Sequence, residues 1–73
     1  MIELVKFIVT ELVDKKDEVK VELSGENITI SVSKDDIGKV IGRQGRTAKA
    51  IRTIVKAASA SAGIKYNVDI LEE

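Results

Sequence analysis

The residues best suited to chemistry in this chain sit in one short run, Gly42-Arg43-Gln44-Gly45, between an apolar-periodic stretch ending at Ile41 and a longer one opening near Arg46. Glycine has no Cβ, so it takes positive φ cheaply and admits another chain's backbone to contact distance. A helix beginning after Gly45 would leave the amides around Gly45, Arg46 and Thr47 as unpaired donors at its positive end, an arrangement suited to anions. A short helix ahead of the loop would point its negative end at the same place, and the two half-charges of ~0.5 roughly cancel. Side chains then set the sign. Lys39, Arg43, Arg46 and Lys49 lie within one or two turns of the loop and make it positive. The pattern predicts a loop that holds a phosphate backbone.

The net charge of the 73-residue chain is zero, which taken alone argues against a nucleic-acid partner. Its distribution argues the other way. Ile37 to Val68 contains no Asp or Glu but seven cations, Lys39, Arg43, Arg46, Lys49, Arg52, Lys56 and Lys65; the rest of the chain holds five cations and all twelve acids. Such segregation implies one face for an anionic partner, with the acidic remainder moderating non-specific attraction.

Other chemistries fit poorly. With no Cys and no His there is no disulfide, thiolate, imidazole base or His/Cys metal site. A nucleotide-hydrolase P-loop needs Gly-x-x-x-x-Gly-Lys-Ser/Thr after a strand, whereas this chain has Gly45-Arg46-Thr47 after a helix-forming run. The dinucleotide fingerprint fails on the spacing Gly38, Gly42, Gly45 and on the absence of a strand leading into it. Asp35 and Asp36 are adjacent carboxylates, but consecutive helical residues project about 100° apart, which suits helix capping better than a shared metal. No enzyme, cofactor, metal site or small-molecule substrate is expected. The start, Met1-Ile2-Glu3-Leu4, has an early acid and no basic leader, and no long apolar run follows. Neither a signal peptide nor a membrane span is predicted, and the cytoplasm is the expected compartment.

The elements that must position the loop follow from periodicity. Residues 1–73 read as a single domain with one small core. Ile2 to Val13 is predicted as an amphipathic helix with Val5, Ile8, Val9 and Leu12 on one face, and Asp14 to Asp17 as its solvated polar exit. Val19 to Leu23 and Ile28 to Val32 alternate with period two and read as half-buried strands joined by a hairpin loop at Ser24-Gly25-Glu26-Asn27. Ser33 and Asp36 fit a capping box, Ser33 accepting an early helix amide and Asp36 reaching back, for a short helix to about Ile41. The second helix is expected from about Arg46 to Ala62, stopped by Gly63. Tyr66, Val68 and Ile70 alternate with Asn67 and Asp69 as a last strand.

The predicted class is α+β in the order α-β-β-α-α-β: a three-stranded sheet with three helices on one face. Lys20, Glu22, Thr29, Ser31, Lys65, Asn67 and Asp69 form the wet face. The hairpin pair is antiparallel, and the place of the third strand is open.

On a wheel of about 100° steps with Ala48 at zero, Ile51, Ile54, Val55, Ala58 and Ala62 span an arc of roughly 240° to 340°. Arg46, Lys49, Arg52 and Lys56 fall opposite, with no acid among them to pair as i,i+4 partners. Those cations need a partner from outside. Phe7 and Tyr66, the only aromatics, read as packing residues: Tyr66 shares phase with Val68 and Ile70, and Phe7 lies off the main helical stripe, at a core edge or against another chain. The Ala57 to Ala62 stretch reads as tight packing on the sheet, with a dimer contact second.

An Ile-Gly-x-x-Gly turn between two helices, here Ile41-Gly42-Arg43-Gln44-Gly45, with Ile37-Gly38-Lys39-Val40 before it and Arg46-Thr47-Ala48-Lys49-Ala50-Ile51 after it, resembles a KH domain. The element order resembles the type II, bacterial arrangement, and the length resembles the KhpA group of single-KH RNA-binding proteins. The resemblance covers essentially the whole chain. It implies that the loop clamps the backbone of about four nucleotides of single-stranded RNA. By position, Gly42, Arg43, Gln44 and Gly45 would be the clamp, Lys39, Arg46 and Lys49 the phosphate neighbours, and Ile37 and Val40 the groove wall, with Ile41 packing underneath. It also implies homodimerisation or pairing with a second KH-containing protein, and a role as RNA chaperone or regulator linked to growth and envelope synthesis. The alternative is a protein-protein adaptor that keeps the fold without nucleic-acid activity.

Overall fold

A computed structural model describes residues 1–71. Helix α1 spans Ile2–Leu12, strands β1 and β2 span Lys20–Ser24 and Asn27–Ser31, helices α2 and α3 span Ile37–Ile41 and Arg46–Ala60, and strand β3 spans Asn67–Ile70. The class is α+β, as the alternation and helical periods imply.

The core follows from those two periods meeting. Val5 and Val9 from α1, Ile28 and Ile30 from β2, Val40 from α2, and Ile51 and Val55 from α3 form one buried cluster. Burying each such side chain contributes about 1.5–3 kcal/mol. The helices therefore lie on the sheet face that carries Ile28 and Ile30. Only the central strand is fully covered: on the edge strands Val21, Val68 and Ile70 are half-buried and Leu23 is exposed.

The sheet order is β1-β2-β3. β1 pairs antiparallel with β2, Val21 opposite Ile30 and Leu23 opposite Ile28. The predicted hairpin loop is tighter by one residue at each end, because Ser24 and Asn27 pair in the ladder and only Gly25 and Glu26 turn. Gly25 sits at φ 59°, the positive φ that the first central position of a type II′ hairpin turn requires. β3 joins the other side of β2 in parallel, Ile28 opposite Val68 and Ile30 opposite Ile70. The parallel pairing needs a long crossover, and α2 with α3 provides it.

Several local expectations change in detail. The α-helical bonding of α3 stops at Ala60; Gly63 at φ 71° then closes the helix by donating to the Ala60 carbonyl (3.1 Å) while Ile64 donates to that of Ser59 (3.4 Å). These are the two bonds of a Schellman motif, so Gly63 does end the helix. The polar exit of α1 is structural rather than merely solvated. Lys16 Nζ donates to the Thr10 and Val13 carbonyls (2.6 and 3.1 Å), placing a cation on the negative end of the helix. Ile54 and Ala58, expected inward, are exposed, because the stripe that meets the sheet is Ala48, Ile51, Val55 and Ser59 and the apolar arc is wider than that contact.

Candidate nucleic-acid interface

The site is assembled where α2 ends, the loop turns and α3 begins, with β3 alongside. Gly42 closes α2 by donating to the Gly38 carbonyl (2.9 Å) and sits at φ 77°, ψ 173°, a backbone region open essentially to glycine alone. A methyl group there would stand 2.6 Å from Thr47 Cβ and 2.8 Å from the Thr47 amide nitrogen. Gly42 is thus required by the loop's own fold, which the reading of both glycines as partner-facing missed. Gly45, at φ 74°, is different: a methyl group there would meet nothing within 4 Å. Gln44, between them, is held at φ 58°, ψ 25° without being glycine.

Arg43 to Gly45 form a single 3-10 turn. Gly45 donates to the Gly42 carbonyl (3.2 Å) and Arg46 to the Arg43 carbonyl. Two of the amides expected to be free for an anion are therefore used internally, and the side chains carry more of the electrostatic role. Arg43, Gln44, Arg46 and Lys49 are exposed, and among the described residues none of these cations, nor Arg52 or Lys56, pairs with a carboxylate. Lys39 is the exception. Its ammonium is held by Asp14 and lies 3.6 Å from Asp36, and the hydrogen bond to Asp14, opposed by burial, keeps it charged above the usual lysine range.

Ile37 is half-buried, and Val40 is wholly buried in the core, so Val40 cannot line a groove. Ile41, expected underneath, instead lines a groove of about 310 Å³ with Gly45, Ala48, Arg52, Asp69 and Ile70. On a helix of five residues the exchange is a rotation by one position, about 100°, between two apolar neighbours. The sheet decides it: Asp36 and Val40, one turn apart, face inward.

Asp36 is the functional-region residue that sequence reasoning placed wrongly. Ser33 Oγ does accept the Asp35 amide (3.4 Å), but Asp36 does not reach back to complete a capping box. Only 2% exposed, its carboxylate accepts the Lys15 amide (3.0 Å) and the Asp14 amide (3.3 Å) at the exit of α1. The Lys15 amide bond, with the Asp14 amide and the Lys39 charge assisting against burial, holds its carboxyl below the usual range. Lys15 also pairs with Asp35 (2.7 Å), and that bond raises the lysine. These contacts fix the start of α2, and so the loop, against the end of α1. A buried acid 22 and 21 residues from its two amide partners leaves no periodic signal.

A second groove of about 490 Å³ continues along α3 and β3 beyond Arg52. Arg52 lines both grooves and its Nε donates to the Val68 carbonyl (3.3 Å), spanning the crevice. Among the described residues there is no helix long and apolar enough to cross a membrane.

Comparison with known proteins shows the family to which this fold belongs. A family model described as KhpA/KhpB, KH domain matches residues 2–70. The chain is similar to a protein named RNA-binding protein KhpA from Borreliella burgdorferi, 49% identical over 97% of this chain and 92% of the relative. It is 51% identical to the like-named protein of Clostridium perfringens, over 97% and 100% of the two chains. With that of Chlamydia trachomatis it shares 44% identity over 100% and 99%. No solved structure matches it significantly. A mixed sheet under three helices, a glycine-flanked loop between two of them and a match across nearly the whole chain lead to one conclusion: the chain belongs to the KhpA/KhpB KH-domain family.

Proposed function

We propose that the protein binds single-stranded RNA, with Gly42-Arg43-Gln44-Gly45 holding the sugar-phosphate backbone and the bases entering the groove lined by Ile41, Ala48 and Ile70. The observation that carries this reading is the exposed loop cation Arg43 with exposed Arg46 and Lys49, none with a carboxylate partner among the described residues, in and just after a loop whose Gly45 lines a groove with Ile41, Ala48, Arg52, Asp69 and Ile70. The names of the relatives, RNA-binding protein KhpA, support the ligand class. Gly45, with open space where a Cβ would be, lets the strand approach; Arg43, Arg46 and Lys49 meet phosphates. Lys39 joins them only by leaving Asp14. Asp69 on the groove rim repels phosphate and accepts from base amino groups, so the bases face β3.

A single domain of this kind binds weakly, since the loop groove contains no aromatic for a base to stack on. Two domains on one RNA raise the affinity without new contacts. The exposed flank of α3 around Ile54 and Ala58 is the face that a second copy would cover in a homodimer; a second KH-containing protein is the alternative partner. In the cytoplasm such a protein acts as an RNA chaperone or post-transcriptional regulator, without catalysis. Replacing Arg43 and Gln44 together by Asp tests the loop. Both side chains are exposed, so the fold survives and RNA binding disappears; RNA binding that persists in the folded variant refutes the loop and leaves the adaptor role or another surface.

A further inference from the structure

The groove beyond Arg52 is not used by a four-nucleotide clamp, yet it has the composition of a nucleotide site. Its floor is apolar, with Ile64 40% exposed and Val68 half-buried, one wall is the half-buried ring of Tyr66, and Arg52, Lys56 and Lys65 stand around it. None of its lining residues is acidic. Three cations over an apolar and aromatic floor complement a base joined to phosphates, since the π-face stacks and the backbone stays at the charged rim.

We propose that the RNA strand continues from the loop groove across Arg52 into this second groove, where one further base stacks on Tyr66 and Lys56 and Lys65 contact the flanking phosphates. The inference rests on the loop reading and extends its footprint past four nucleotides. Arg52 joins the two sites because it lines both grooves while its Nε is held by the Val68 carbonyl, which leaves the rest of the guanidinium for a phosphate. The same contact argues against a protein strand adding to the free edge of β3. Asn67 and Leu71 donate toward β2, so the Val68 carbonyl faces outward, and it is already capped by Arg52.

The sequence supplies its own reporter, because Tyr66 is the only tyrosine. NMR titration of the unmodified protein with random-sequence RNA pools of four and of eight nucleotides reads both sites at once. The four-mers should shift the amides of Gly42 to Arg46 and of the loop groove, and leave the Tyr66 ring protons unmoved. The eight-mers should also move the Tyr66 ring protons upfield and bind roughly five- to hundred-fold tighter, the range of one base-aromatic stack. Tyr66→Leu should narrow the gap between the two lengths by the stacking share; because Tyr66 is half-buried, Lys56→Ala combined with Lys65→Ala provides a surface variant that should narrow it by the phosphate share. Loop amides that shift while the Tyr66 ring stays still with eight-mers overturn the second site and leave the loop reading intact. A ring that moves while the loop amides stay still overturns the loop reading and with it the continuous path.

Discussion

Gly42 and Gly45 look equivalent in the sequence and are not equivalent in the fold, which makes an alanine series at the glycines a sharp test. At Gly42 the backbone region of φ 77°, ψ 173° costs a residue with a Cβ about 1–3 kcal/mol. Its methyl group would press into Thr47, including the backbone nitrogen at 2.8 Å, so trimming the threonine side chain does not relieve it. Overpacking of this kind adds about 1–3 kcal/mol. Allowing for relaxation, Gly42→Ala should cost about 3 kcal/mol, a large share of the roughly 4–11 kcal/mol that a domain of this size possesses. Gly45→Ala meets no atom and bears only the left-handed backbone penalty of about 1–2 kcal/mol. Gly38→Ala, inside α2 with nothing within 4 Å, should gain about 0.5–1 kcal/mol. At about 4–8 °C per kcal/mol, thermal unfolding followed by circular dichroism separates the three, with Gly42→Ala lowest by roughly 12 °C or more and Gly38→Ala above the parent. Equal melting of Gly42→Ala and Gly45→Ala would refute the assignment of Gly42 to the loop's internal packing.

Asp36 makes stability depend on acid: its carboxyl is held below the ordinary carboxylate range, so the unfolded chain binds the proton first and the contribution, complete above about pH 4, is lost as pH falls through the lower folded value. Urea midpoints between pH 6 and pH 2 should fall more steeply for the parent than for Asp36→Asn, and parallel curves would sink this assignment. For RNA, with Lys39 held by Asp14, about three phosphates meet Arg43, Arg46 and Lys49, so the logarithm of affinity for a four-mer should fall against the logarithm of salt with a slope of about −2, and one domain should bind at micromolar strength or weaker. Nanomolar binding of a four-mer by a monomer at physiological salt contradicts that account. Ile54→Glu, on the exposed flank of α3, should leave the melting temperature within a few degrees and shift sedimentation toward monomer; an unchanged sedimentation profile removes this face as the self-association surface.

Most of the fold is legible in the chain because its elements have local causes. Val19 to Leu23 and Ile28 to Val32 alternate without interruption, Val5 and Val9 recur at helical spacing, and Gly63 stops α3 through hydrogen bonds reaching back only a few residues. The loop is legible for the same reason: Gly42 and Gly45 mark positive φ, and the acid-free run from Ile37 to Val68 marks its charge.

What sequence alone left open depends on contacts between residues far apart. The parallel seat of β3 beside β2 is decided by which sheet edge α2 and α3 leave free, and alternation in β3 is the same on either edge. Val40 and Ile41 are adjacent and both apolar, so only docking of α2 on the sheet could say which is buried and which lines the groove. The commitment of Asp36 to the Asp14 and Lys15 amides, of Lys39 to Asp14, and of Arg52 to the Val68 carbonyl follows from distances set by the packed core. Periodicity tells a residue which way to face along its own element, and only the closing of the core tells it what stands opposite.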